Sequence, residues 1–403
     1  MNKRYIKCFV IITIFLLVFS SSLSVNASFT IQNKKINPEK KALSDDNLFN
    51  QKIRFLMRLA HFPSMVACII KNKSIVWSNS YGKYNILPRR TPDLNTVYMV
   101  ASISKSITGT AFMQIYEDGL FDLDDDVNDY LNFSLRNPKY PDVNITFRML
   151  LSHQSSLSEC DFFNNLILMY VDSKIFPEYP YPFVKEYLVP GGSIYKPSVW
   201  LDQKPGEKTA YSNFNFALLE LLFKILTDKS IGEYCKENIF DPLEMYNTSF
   251  DFSDFDRTQM ATPYLHLGFF YFPIPHYNPF SAGGGVRSTV NDLSHYLIAH
   301  MNGGVYNDTR ILNESTVNLM HEIQYPGDGD GHDFGLGWMY FNVNGVILHG
   351  HGGSYPGCDS NMLINDDVGI IFVANNMVQT YRKIEFSAYK SIRDLFIEKA
   401  TEI

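Results

Sequence analysis

Val100-Ala-Ser102-Ile-Ser-Lys105-Ser-Ile107-Thr-Gly-Thr-Ala111-Phe-Met-Gln-Ile115-Tyr-Glu-Asp-Gly119 is the stretch on which the reading of this chain turns. Ile103, Ile107, Ala111 and Ile115 recur at helical spacing and predict a core-facing stripe. Gly119 is a helix stop. Ser102 opens the helix and Lys105 follows three residues later, so the two side chains share one face. A serine hydroxyl is a weak nucleophile until a neighbour takes its proton, and a lysine beside it can do so if burial or a second positive charge lowers its pKa. The helix N-terminus adds a field that favours negative charge on the oxygen.

Ser-x-x-Lys alone decides little. It also occurs at Ser193–Lys196 and Ser387–Lys390, and a serine at a helix start is ordinarily a cap. Two downstream segments single out Ser102. Tyr211-Ser212-Asn213 lies in a turn leading into an amphipathic helix, Phe214 to Thr227. A tyrosine there, as phenolate, can accept the serine proton and pass it to a leaving group. Asn213 can both donate to and accept from a substrate amide. The alternative for the pair is a tyrosine closing a turn and an asparagine capping the helix. The second segment, His351-Gly352-Gly353-Ser354, follows a strand expected to end at Leu348. Its glycines let backbone approach a ligand, and the Ser354 N–H can complete an oxyanion hole with that of Ser102. His349 and His351 also form His-x-His, but zinc needs further ligands and no nearby Cys or Asp-His supplies one, so no metal is assigned.

The 403 residues are 45% hydrophobic and 15% aromatic, and Lys+Arg 35 against Asp+Glu 42 leaves a net charge of −7. This is a globular balance with no basic excess that would point to nucleic acid. Residues 1–27 read as a signal peptide: Lys3, Arg4 and Lys7, an apolar run from Phe9 to Phe19, then Val25-Asn26-Ala27 as the cleavage end. The expectation is a secreted protein, with an uncleaved anchor as the alternative. Residues 28–47 read as a polar leader. Cys68, Cys160, Cys235 and Cys358 are widely spaced and form no Cys-x-x-Cys; Cys68 reads as a buried thiol, and one disulfide among the four is left open.

Leu48 to Leu59 reads as a helix, and Met65–Ile70 with Ser74–Asn79 as a hairpin around Lys71-Asn72-Lys73. Asp122, Asp124, Asp126 and Asn128 alternate like a calcium loop, but Val127 and Phe133 stand where that loop needs Gly and Glu, so a solvated turn is expected. Residues 145–245 read as mostly helical, and 158–207 contains a long irregular stretch of the kind that forms functional loops. Gly283-Gly284-Gly285 marks a tight turn before a helix over Val290–Met301, and 326–332 reads as a flexible loop. Strands are expected at Gly345–Leu348, Asn361–Ile364 and Gly369–Ala374, and a last helix at Ile384–Lys399. Strands, helices, then strands predict an α+β fold whose antiparallel sheet is shared by both chain ends, with a helical region inserted between them. The α/β part is expected at about 48–135 and 280–397, and the helical part at about 136–279.

Taken in order, Ser102-Ile-Ser-Lys105, Tyr211-Ser-Asn213 and His351-Gly-Gly353 resemble the three motifs of the serine β-lactamase and penicillin-binding-protein superfamily, in its class C β-lactamase and esterase branch. Asp118-Gly119-Leu-Phe-Asp, Leu150-Leu-Ser-His153-Gln-Ser-Ser-Leu157, Pro242-Leu-Glu-Met245 and Gly335-Leu-Gly-Trp338 fit the same family, so the resemblance spans about 48–397. It implies a β-lactamase/transpeptidase-like fold, an α/β sandwich-like part plus an all-helical part, with the site in the cleft between them. Ser156 and Glu244 stand where the family has Gly, and His351 replaces the Lys of typical β-lactamases. A lysine would pair with a substrate carboxylate, whereas a histidine is mostly neutral at pH 7.

The resemblance implies a serine hydrolase working through an acyl-enzyme without a cofactor. Ser102 is the nucleophile, Lys105 and Tyr211 handle its proton, and Asn213, His351, Gly353 and Ser354 form the substrate and oxyanion side. Small esters, amides or peptides are the expected substrates. A β-lactamase or D-amino-acid peptidase is the alternative, and a binding module without turnover the alternative from another class. Asn247-Thr-Ser249 and Asn307-Asp-Thr309 are glycosylation sequons that matter only in a eukaryotic secretory route.

Overall fold

The computed structural model describes residues 38–158, 183–276, 281–326 and 333–403. The expected signal peptide, Cys160, residues 159–182 of the 158–207 stretch and residues 327–332 of the expected loop lie outside them. Contacts divide the chain into residues 1–50 and a compact unit, 51–403, which carries the fold.

Six strands form one antiparallel sheet: β1 (Ser64–Lys71), β2 (Ser74–Gly82), β3 (Met339–Val343), β4 (Val346–Tyr355), β5 (Cys358–Ile364) and β6 (Val368–Ala374), in the order β2-β1-β6-β5-β4-β3. β1 from the N-terminal end pairs with β6 from the C-terminal end, with Met65 opposite Ala374 and Lys71 opposite Val368. The hairpin at Lys71-Asn72-Lys73 is present as expected; Asn72 and Lys73 take positive φ, which closes its tight turn. β5 and β6 are buried along their whole length, so both faces of the sheet are covered. A Cβ at Gly369 would touch Leu297 and Met301 of the helix Val290–Met301, while Phe372, on the other face, packs against Tyr389 and Phe396 of the last helix.

The helices used below are α1 (Pro38–Leu59), α2 (Ser104–Glu117), α3 (Asn213–Thr227), α4 (Val290–Met301) and α5 (Lys383–Glu402). α1 starts inside the expected leader, because Pro38 suits a first helical turn and Glu-Lys-Lys-Ala continues it with good helix formers. α2 is buried on nearly all sides rather than along one stripe; its hydroxyls of Ser106 and Thr108 are satisfied by the carbonyls of Gly337 and Ala282.

Several local expectations change. The expected 345–348 strand is β4, which runs on to Tyr355 and carries His351 to Ser354 within it. Gly283 and Gly284 close a short helical turn, Ser281–Gly284, instead of a bare tight turn. The section expected to be helical contains a two-stranded hairpin, Tyr264–Leu267 with Phe270–Pro273, whose apolar alternation was hidden in a run of aromatic residues. The Asp122–Asp126 carboxylates do not converge. Asp124 pairs with Arg148, Asp126 with Arg136, and Asp125 accepts from the Asp122 N–H and the Tyr130 hydroxyl. Cys68, Cys235 and Cys358 are buried free thiols. Among the described residues no helix is long and apolar enough to cross a membrane.

Candidate active site

Ser102 lies on a 3-10 turn, Ala101–Ile103, that runs straight into α2. Ala101 has φ +47°, a conformation a residue with a Cβ rarely adopts. The turn is held by the Ser104 hydroxyl, which donates to Ala101 O at 2.6 Å, and by the Ile103 N–H on Val100 O. Ser102 does not cap the helix. Its Oγ instead accepts from Lys105 Nζ at 3.2 Å and from the Tyr211 hydroxyl at 3.0 Å.

Lys105 is fully buried, and its ammonium also donates to Asn213 Oδ1 at 2.7 Å and Gly283 O at 2.5 Å. The Gly283 carbonyl is delivered by the Ser281–Gly284 turn, which Glu220 of α3 ties down through the Ser281 hydroxyl and the Ala282 N–H. No sequence signal pointed to Glu220 or to Gly283 O, because their roles exist only through the packing of α3 on this turn.

Tyr211 and Asn213 flank the true cap of α3. Ser212 accepts from the Phe214 N–H, and the Asn213 side chain faces Lys105 instead of capping the helix. Tyr211 packs against His153, with ring centroids 4.3 Å apart and planes tilted by 35°, and Lys105 Nζ lies 5.2 Å from the centre of the tyrosine ring. His153 Nδ1 accepts the Ser212 N–H at 3.2 Å. Burial, then the Lys105 charge, holds its pKa well below the usual value, so the ring is a neutral wedge beneath Tyr211. The segment Leu150-Leu-Ser-His153 was legible as a family feature, but the contact with Tyr211 was not.

β4 runs along the other side of Ser102. A Cβ at Gly353 would lie 3.0 Å from Ser102 N and 2.3 Å from Val100 O, so only glycine lets the strand pass this close. Ser354 follows, opposite Asp359 of β5, and its hydroxyl hydrogen-bonds that carboxyl. Asp359 is buried and also accepts from the Val378 N–H at 2.6 Å; burial raises its pKa to about 8, so it is mostly protonated at pH 7. His351 is buried, its Nδ1 is 2.6 Å from Gly352 O, and burial with the Lys105 charge lowers its pKa to about 3. A carbonyl can only accept, so Nδ1 carries the proton and the neutral ring offers Nε2 as an acceptor. His349 takes separate partners: its Nε2 is 3.1 Å from His321 Nδ1, so the two histidines of His-x-His do not share a ligand position.

Ser102, Tyr211, Asn213, His351, Gly353 and Ser354 therefore come together, with Lys105 behind them, on a cavity of about 360 Å³. Phe334, Met339 and Tyr389 supply apolar lining. Tyr389 belongs to α5, and nothing in its sequence context marked it. The arrangement can present a serine oxygen to a carbonyl, with the Tyr211 hydroxyl and Lys105 Nζ held against it.

The family model described as Beta-lactamase matches residues 49–385. The chain is 27% identical to Beta-lactamase-like protein 2 of Dictyostelium discoideum, over 100% of this chain and 69% of that protein. It is 29% identical to Beta-lactamase-like protein 4 of the same organism, over 80% of this chain and 57% of that one. Protein flp of Staphylococcus aureus strain MW2 is 23% identical over 79% of this chain and 61% of its own length. Among solved structures, the octameric penicillin-binding protein homologue from Pyrococcus abyssi has a TM-score of 0.68 at 24% identity, covering 86% of this chain and 77% of that one. The D-amino acid amidase from Ochrobactrum anthropi SV3 complexed with D-phenylalanine has a TM-score of 0.68 at 19% identity, covering 88% and 99%. These two share the fold that the three motifs imply. The chain belongs to the β-lactamase family of serine hydrolases.

Proposed function

We propose that this protein is an extracytoplasmic serine hydrolase that cleaves uncharged ester, amide or peptide carbonyls through an acyl-enzyme on Ser102. Lys105 donates to Ser102, Asn213 and Gly283 O and lies 5.2 Å from the centre of the Tyr211 ring, which casts it as the cation that stabilises Tyr211 as phenolate. Tyr211 takes the Ser102 proton as Oγ bonds to the carbonyl carbon, and the oxygen's negative charge falls on the N–H groups of Ser102 and Ser354. Collapse of the intermediate breaks the bond to the leaving group, which receives that proton from Tyr211. Water then repeats the sequence in reverse and frees the acyl group. Asn213 and His351 orient the substrate.

The observation that carries the substrate class is His351. It is buried and neutral where a β-lactamase lysine would be charged, so nothing at that position pairs with a substrate carboxylate. The amide branch of the proposal draws support from the fold shared with the D-amino acid amidase. The test is paired turnover of a short-chain nitrophenyl ester and a chromogenic cephalosporin, each with Ser102→Ala as control. Ester cleavage that depends on Ser102 and exceeds cephalosporin cleavage is expected. Faster cephalosporin cleavage would overturn the reading of His351 and put a β-lactamase first.

A further inference from the structure

His61, His266 and Glu385 meet although they are far apart in sequence. His61 follows α1, and its carbonyl accepts from Asn376 Nδ2 at 3.0 Å. His266 lies on the hairpin Tyr264–Leu267/Phe270–Pro273, opposite Tyr271. Glu385 sits in the first turn of α5. One ligand atom from each lies within 4.8 Å of the other two. None of the three lines the Ser102 cavity.

Two observations point to a ligand here. His61 Nε2 is 3.6 Å from Glu385 Oε1, close to the edge of about 3.4 Å of a tetrahedron around zinc with bonds near 2.1 Å. His266 is 8% exposed, and its Nδ1 is buried with no hydrogen-bond partner. A buried acceptor left unpaired costs free energy that a bound cation would offset.

Two features set the terms of binding. The His61 and His266 rings are stacked, with centroids 3.6 Å apart and planes 16° apart, so their in-plane lone pairs run nearly parallel. Binding requires one ring to swing about its Cβ–Cγ bond so that the lone pairs converge. Arg382 Nη1 donates to the same Glu385 Oε1 at 2.9 Å and competes with a cation for it.

We propose that His61, His266 and Glu385 form a divalent metal site of the zinc class, with water in the remaining position, that ties the turn at His61, the hairpin and the first turn of α5 together. Two imidazoles and one carboxylate suit zinc rather than magnesium or calcium. The ion would act on stability by binding the folded chain alone, and through α5 it bears on Tyr389, one helical turn after Glu385.

The test uses tag-free, metal-stripped protein titrated with zinc, and with magnesium as control, by calorimetry and by thermal midpoint. One zinc per chain and a midpoint raised by several degrees are expected. His61 is one-third exposed, so His61→Asn leaves the fold intact, and its midpoint without zinc checks this. His61→Asn and Glu385→Gln each weaken zinc at least about tenfold, whereas Arg382→Ala tightens it by removing the competitor. Zinc held by His61→Asn as tightly as by the wild type would overturn the proposal, as would no binding at millimolar zinc.

Discussion

A methyl group added at Gly353 would meet Val100 O at 2.3 Å, Ser360 Oγ at 2.4 Å and Ser102 N at 3.0 Å. Gly353→Ala therefore pushes β4 away from the serine turn and separates the N–H groups of Ser102 and Ser354, the proposed oxyanion hole. Loss of one such donor costs about 100- to 1000-fold in kcat, and ester turnover by Gly353→Ala is expected to fall in that range. Gly352→Ala should fall much less, since its added Cβ meets nothing closer than 3.8 Å. Equal losses in the two variants would contradict this account of the strand. At this scale Ser102, Lys105, Tyr211, Asn213 and His351 were legible because each lies in a motif whose order could be checked along the chain. Glu220, Gly283 O and Tyr389 were not. They reach Lys105 or the cavity only through helix packing that no local pattern encodes.

The elements show why some boundaries were readable and others not. α4 begins on Thr289, whose hydroxyl accepts from the Asp292 N–H, and its expected span of Val290–Met301 is the observed one. α3 was read from Phe214, one residue late, because its cap is Ser212 rather than Asn213. β4 was cut short at Leu348 because glycines usually end a strand pattern. Here Gly350, Gly352 and Gly353 continue it. A Cβ at Gly350 would lie 2.0 Å from Met362 O, and at Gly353 the serine turn takes the space of a side chain. The same glycines that hid the strand allow it to serve the site. α2 departs from a one-sided stripe for a related reason: it is the central helix, with β4 and the 335–337 segment packed around it.

For the whole molecule, joining the first and last strands through β1 and β6 makes the sheet depend on both ends of the chain, as the strands–helices–strands order predicted. Buried histidines give that fold a pH dependence. Burial lowers His300 and His351 to about 3 and His349 to about 4, and pushes His153 and His321 well down. Below the ordinary value of 6.5 the unfolded chain binds protons that the folded chain refuses, so stability falls as pH drops from 6.5 towards 4. Asp359 acts oppositely. Its carboxyl keeps a proton in the folded state up to about 8, so its contribution declines as pH rises to that value. The thermal midpoint is expected to fall steeply below pH 6.5, and His349→Gln should flatten part of that slope. A midpoint unchanged between pH 6.5 and 4.5 would show that these rings titrate alike in both states.

The fold, the three motifs and the neutral His351 all serve one claim, that Ser102 is a nucleophile activated by Lys105 and Tyr211. A fluorophosphonate probe with peptide mapping tests it most directly. The account predicts a single label on the peptide carrying Ser102, loss of that label in Ser102→Ala, and a large slowing in Tyr211→Phe with the fold retained. Full labelling of Ser102→Ala, or a label mapped to Ser193, would contradict it.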